Sequence, residues 1–230
     1  MSQLTLAPFK AWLRALGPWR LLFALATVLA LLLLGPRLAA MAEPHPDSLI
    51  LDRVHGLIPA WLGAVLVRVY QLSGVHVTGV LVLSILIFFG LKRFWADLVC
   101  LAVGTGGILV VVDRLFKPLV DRPRPSGGLL SELQGRSFPS GHAAGSVVFY
   151  FLSCCLLSAH YPHLRKPLFV ASSLWVGLVW LSTLYVRAHW LSDLAAGAAL
   201  GYVWLSFCLA GLHVWDQHQQ RRHSASSPTS

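Results

Sequence analysis

The sequence predicts an all-α integral membrane protein, a six-transmembrane-helix bundle with an additional interfacial helix between spans 1 and 2. Three observations carry that prediction. Of 230 residues, 56% are hydrophobic and only 12% are charged, about half the charged share of an ordinary soluble domain. The apolar residues gather into runs long enough to cross a bilayer, which takes about 20 residues. The polar residues between those runs are concentrated in three short islands, where ionisable groups at membrane depth point to function.

Six spans are predicted, at roughly 19–40, 72–91, 95–116, 141–159, 168–186 and 190–212. The first follows Lys10, Arg14 and Arg20 and ends at Ala40-Met41-Ala42, a pattern shared with signal peptides; it is read as an uncleaved span. The piece at about 55–71 is broken by Arg53, His55, Pro59 and Arg68, so it is read as an interfacial helix. The chain then divides into an N-terminal segment (1–18), a six-helix membrane domain (19–212) and a disordered tail (213–230), the tail being rich in Ser, His, Gln and Arg. Gly197 and Gly201 have the spacing of helix packing, as do the glycines of Gly104-Thr105-Gly106-Gly107.

The formal charge is +9, but the basic residues form no stripe or face, so a nucleic-acid partner is excluded. They sit at the ends of apolar runs, which suits phospholipid headgroups and an anionic substrate. Lys10, Arg14, Arg20, Lys92, Arg93, Arg165, Lys166, Arg221 and Arg222 fall on one side of the bundle. The other side carries as many, yet Arg114, Lys117, Arg122, Arg124, Arg136 and Arg187 lie in or beside the islands. With those set aside, the positive-inside rule puts both termini in the cytoplasm. The islands then lie on the outer (periplasmic or extracellular) face of a cytoplasmic membrane. The four cysteines lie inside apolar runs without metal-ligand spacing and read as core residues.

The first island runs from Lys117 to Arg124-Pro125. Arginine offers a planar fork to two phosphate oxygens and lysine a compact charge, while Pro123 and Pro125 keep the stretch out of helix. Asp113 can pair with Lys117 at i,i+4. Arg122 is left open between phosphate binding and anchoring at the headgroups. The second island, Pro139-Ser140-Gly141-His142, opens span 4. Ser140 is a good N-cap, and a helix start presents free N–H groups to an anion. Gly141 permits close backbone approach. In the third island His189 and Asp193 stand at i,i+4, the spacing for a carboxylate that orients an imidazole and leaves its other nitrogen nucleophilic.

These islands resemble the signature of the type 2 phosphatidic acid phosphatase superfamily, K-x6-R-P, then P-S-G-H, then S-R-x5-H-x3-D. The match runs through Lys117, Arg124-Pro125, Pro139 to His142, Ser182, His189 and Asp193, and departs at Thr183, where the family has arginine. The resemblance implies a membrane lipid phosphatase that needs neither metal nor other cofactor. His189, Asp193 and His142 would be catalytic, the first as nucleophile and the last as general acid. Lys117, Arg124, Ser140 and Gly141 would hold the phosphate. Arg187, two residues before His189, is the expected substitute for the missing arginine, placed over the phosphate by a non-helical stretch at 186–189. Undecaprenyl diphosphate is the first expected substrate. Phosphatidylglycerol phosphate, phosphatidate and lipid A 1-phosphate are alternatives, as are phosphotransfer to another lipid and an inactive lipid-binding or transport relative.

Overall fold

The computed structural model describes residues 6–41, 45–131 and 133–226. Its helices are α1 (Leu6–Leu16), α2 (Pro18–Ala39), α3 (Pro46–Leu57), α4 (Ala60–Leu72), α5 (Val75–Leu91) and α6 (Trp95–Val110). A π-helical turn (Val111–Phe116) and the short α7 (Lys117–Val120) extend α6, and α8 (Gly141–His160), α9 (Arg165–Tyr185) and α10 (Leu191–Ser226) complete the bundle. Five of these units are long and apolar enough to cross a membrane: α2, α6 with its extension to Val120, α8, α9 with the turn before it, and α10. Apolar α5 has 17 residues, the lower end of spanning length. Among the described residues the only β pairing is an isolated bridge between Pro123 and Arg136.

Between the first span and α5 the sequence reading placed one interfacial helix; two stand there, α3 and α4, meeting at a bend of 120°. Pro59 caps the start of α4 with extended backbone, which is where a proline breaks a helix and permits the next. At the start of α3, His45 and Ser48 form a reciprocal cap, His45 Nδ1 accepting from the Ser48 N–H and Ser48 Oγ accepting from the His45 N–H. That cap places Asp47 in the first turn, facing inward. A second difference is at the C-terminal end. Helix α10 continues through Ser226, so residues 213–226 are helical where a disordered tail was expected; 227–230, like Ala42 of the small-residue pattern, lie outside the described residues.

The core runs along α6, α8 and α10, with Leu101, Ile108, Val148, Leu152 and Leu200 buried together. Glycine sets how closely these helices approach. A β-carbon at Gly197 would stand 2.4 Å from the Ser140 carbonyl oxygen, and one at Gly201 2.8 Å from that of Ala144. Only glycine allows α10 to press this tightly on the first turns of α8, and the small-residue spacing is a packing device as read. Gly104 and Gly107 do the same against Leu152 and Trp204. Gly106 meets nothing within 4 Å, because it faces a cavity.

Candidate active site

Two cavities meet at the end of the bundle where α7 stops, α8 and α10 begin and α9 finishes. One, of about 460 Å³, has walls of mostly apolar side chains and glycines from α5, α6 and α8, and includes Lys117, Arg124, Gly141, His142 and His189. The other, of about 610 Å³, is polar and includes Asp113, Lys117, Asp121, Arg122, Arg124 and Arg136. Lys117 and Arg124 belong to both. An anionic group at their junction would meet both cations, with an apolar chain on one side and water on the other.

Local chain geometry delivers each group. The π-helical turn widens the backbone one turn before Lys117, and Asp113 Oδ1 accepts from Lys117 Nζ at 2.7 Å, the i,i+4 pair read from the sequence. Asp121, in left-handed backbone at φ 53°, ends α7. Arg124 is braced by donating Nε to the Gln134 carbonyl (2.9 Å) and Nη1 to the Ala188 carbonyl (2.7 Å). Ser140 caps α8, its Oγ accepting from the Ala143 N–H at 3.2 Å. It is fully buried and lines neither cavity; Gly141, one residue on, lines the first cavity.

The two histidines come together, with ring centroids 5.9 Å apart in an edge-to-face arrangement. Tyr70 of α4 stacks on the His142 ring at 5.0 Å. His189 Nδ1 lies 2.9 Å from the Ser137 carbonyl oxygen. A carbonyl only accepts, so Nδ1 carries the proton and Nε2 keeps its lone pair. Asp193 lies 3.6 Å from Nδ1, beyond hydrogen-bond range. This corrects the sequence reading, in which Asp193 itself orients the ring; that task falls to Ser137. Asp193 instead accepts from the Trp190 N–H at 3.0 Å and from Arg122 Nη1 at 2.7 Å. Burial pushes the His189 imidazole below its ordinary pKa; Arg124 and Lys117 push the same way and Asp193 opposes them. A neutral imidazole at neutral pH follows.

Arg122, left open by the sequence, has a clear place. It is 2% exposed, holds Asp193, Ser192 Oγ (2.7 Å) and Asp47 (2.9 Å), and lies over the Trp190 ring at 5.1 Å. Three of its five N–H groups are thus spent on two carboxylates and a hydroxyl of the protein itself, which makes it a structural cation before anything else. Arg187 departs from expectation. Residues 186–190 are non-helical, as anticipated, but φ of 59° at Arg187 turns the side chain away. Its guanidinium pairs with Asp52 of α3 and donates to the Ser126 carbonyl, and it lines neither cavity. The buried Thr183 spends its hydroxyl on the Trp180 carbonyl at 2.7 Å. Among the described residues the cations lining the first cavity are Lys117 and Arg124.

Sequence reasoning missed Ser137, Ser192, Tyr70 and Asp47. Only Asp47 carried a signal, an unpaired acid between two apolar runs. Among the described residues no group of three or more His, Cys, Asp or Glu could hold a metal.

Phosphatidylglycerophosphatase B of Bacillus subtilis (strain 168) is 27% identical over 156 residues, 66% of this chain and 75% of that protein. The crystal structure of a transmembrane PAP2-type phosphatidylglycerolphosphate phosphatase from Bacillus subtilis matches with a TM-score of 0.68 at 22% identity, covering 85% of this chain and 96% of that one; the likeness is one of fold. The sequence profile of the PAP2 superfamily matches residues 95–216, more than half of the chain and all three polar islands. By that match the chain belongs to the PAP2 superfamily.

Proposed function

We propose that this PAP2 membrane lipid phosphatase removes the terminal phosphate of a phosphatidylglycerol phosphate-type lipid at the outer leaflet. The observation that carries the reading is the junction itself: two histidines and two cations where an apolar and a polar cavity meet. His189 Nε2 attacks phosphorus while His142 gives a proton to the departing lipid oxygen, leaving a phosphohistidine and a lipid alcohol. Water then attacks phosphorus, His142 takes its proton, and inorganic phosphate leaves through the polar cavity. Lys117, Arg124 and the N–H groups at the start of α8 hold the phosphate oxygens and stabilise the charge of the transition state. Residues that do this electrostatic work replace the task magnesium has in other phosphoryl transfers.

Two considerations favour the monoester over a diphosphate. The similar Bacillus protein is named for phosphatidylglycerol phosphate. In addition, the two cations lining the first cavity, Arg124 and a Lys117 already paired with Asp113, suit the charge of a monoester, about −1.5 to −2 at pH 7, better than the larger charge of a diphosphate. The outer-leaflet placement rests on the lysine and arginine count.

The deciding experiment offers the detergent-solubilised protein phosphatidylglycerol phosphate, phosphatidate, lipid A 1-phosphate and undecaprenyl diphosphate, each with excess chelator. Phosphatidylglycerol phosphate is expected to release phosphate fastest, at a rate the chelator does not change. Faster release from undecaprenyl diphosphate overturns the substrate, strict dependence on a divalent ion overturns the mechanism, and phosphate passed to another lipid makes the protein a phosphotransferase. No release from any substrate leaves a lipid-binding protein. For sidedness, Gly128→Cys is expected to react with an impermeant maleimide outside intact cells; labelling only after lysis places the site in the cytoplasm.

A further inference from the structure

Asp47 lies far in sequence from every polar island, on a helix read as interfacial, yet it is buried beneath the site. It holds three groups at once. Its Oδ2 accepts from Arg122 Nη2 at 2.9 Å and from the Ser192 hydroxyl, and its Oδ1 accepts from the Ser192 N–H at 3.2 Å. Ser192 stands beside Asp193, and Arg122 bonds both. The backbone of Arg122 is engaged as well: its carbonyl accepts from the Ser137 N–H at 2.8 Å, and the Ser137 carbonyl accepts from His189 Nδ1. Arg122 thus supports His189 by two routes, through Asp193 and through Ser137. His45, which caps the helix of Asp47, packs on Trp190 at 4.7 Å, and Trp190 Nε1 donates to the Pro123 carbonyl at 3.0 Å.

We infer that Asp47 and Arg122 are positioning residues for His189, forming a buried Asp47–Arg122–Asp193 chain that fixes the imidazole and keeps a net negative charge beneath it. The inference deepens the phosphatase reading and rests on it. Two carboxylates against one guanidinium leave one net negative charge across the three side chains. Attack on phosphorus turns the His189 ring into a cationic phosphoimidazolium, and that charge is what a negative base stabilises. Without Asp47, Arg122 would spend its charge on Asp193 alone and the base would become neutral. Removing one partner of such a buried network also leaves an uncompensated charge, which is why these groups act as a set. The other charged or titratable groups around His189 are Lys117 and Arg124 in the cavity, His142 across it, and Asp113, which lines the same cavity with its carboxylate paired to Lys117.

The test is Asp47→Asn in the full chain, assayed with the lipid phosphate that the parent protein hydrolyses. Turnover is expected to fall on the order of 10- to 100-fold, the scale for partners that orient a reactive histidine's environment, with KM unchanged because Asp47 touches no substrate. The acid limb of kcat/KM is expected to move to lower pH, since losing a negative charge disfavours the imidazolium that must deprotonate before attack. A purely structural loss would lower turnover without moving that limb. Asp47→Glu, which keeps the charge, is expected to restore the limb and part of the turnover. A folded Asp47→Asn protein with parental turnover and an unmoved limb overturns the inference. If Asp47→Asn does not fold, Ser192→Ala takes its place: it removes the hydroxyl shared by Arg122 and Asp47, and turnover about 3- to 10-fold lower is expected, the scale of one hydrogen bond. Parental turnover there overturns the inference equally. No phosphate release by the parent protein would sink the phosphatase reading itself, whereas equal activity of parent and variant sinks only the positioning role.

Discussion

Among the described residues two histidine–aspartate pairs stand one at each end of α8, and they are built differently. At the far end His160 Nε2 lies 2.8 Å from Asp97 Oδ2, and its ring stacks flat on Phe94 with centroids 3.7 Å apart. At the site end Asp193 stands off from His189 at 3.6 Å, held by Arg122 and the Trp190 N–H, while a backbone carbonyl takes the Nδ1 proton. The direct pair uses Nε2 to tie helices together. The indirect one leaves Nε2 facing a cavity that also contains Lys117 and Arg124. A histidine beside an aspartate therefore says little by itself. A ring that borders a cavity, with cations around it, makes the difference.

The sharpest way to break this comparison is to delete each ring in turn. His189→Ala is expected to lower phosphate release by at least about 10⁴-fold, the scale for losing a nucleophile or its equivalent, and to abolish any acid-labile phosphoenzyme. His160→Ala is expected to leave turnover within about 2-fold of the parent and to lower stability by about 1 kcal/mol, measured as thermal unfolding in detergent, because a partly exposed pair contributes little. Comparable losses of turnover in both variants would erase the distinction between the two ends.

How far the site was legible follows from what each residue does. Groups that line the first cavity were found, because Lys117, Arg124, Gly141, His142 and His189 sit where apolar runs break and their chemistry is visible as residue type. The groups that position them were not. Asp47 acts across 146 positions to Asp193 through a bend whose angle no periodicity records, and Ser137 acts through its carbonyl, which every residue possesses. The spans were readable because bilayer thickness fixes their length. Helicity beyond Leu212 was not, since the same polar composition suits a solvated helix and a tail. Glycine spacing announced the tight contact of α10 on α8 at Gly197 and Gly201, yet gave no sign that Gly106 would face open space.

Arg187 provides the smallest and most discriminating test, because it stands at the site end while its bonding is of the surface kind. By sequence it was the natural stand-in for the arginine absent at Thr183, and on that reading its loss would lower turnover by about 10²- to 10³-fold. The structure turns it outward: left-handed backbone at Arg187 directs the guanidinium to Asp52, whose side chain is 61% exposed. An exposed pair of this kind contributes about 0–1 kcal/mol and is screened by salt. Arg187→Ala is therefore expected to change turnover by less than about 3-fold and the unfolding temperature only slightly. Thr183→Arg is expected to be the more harmful of the two changes, because Thr183 is fully buried with its hydroxyl on the Trp180 carbonyl, and that space must take a long cation. A large loss of turnover in Arg187→Ala with normal unfolding would return Arg187 to the phosphate and show that the Asp52 contact opens when substrate binds.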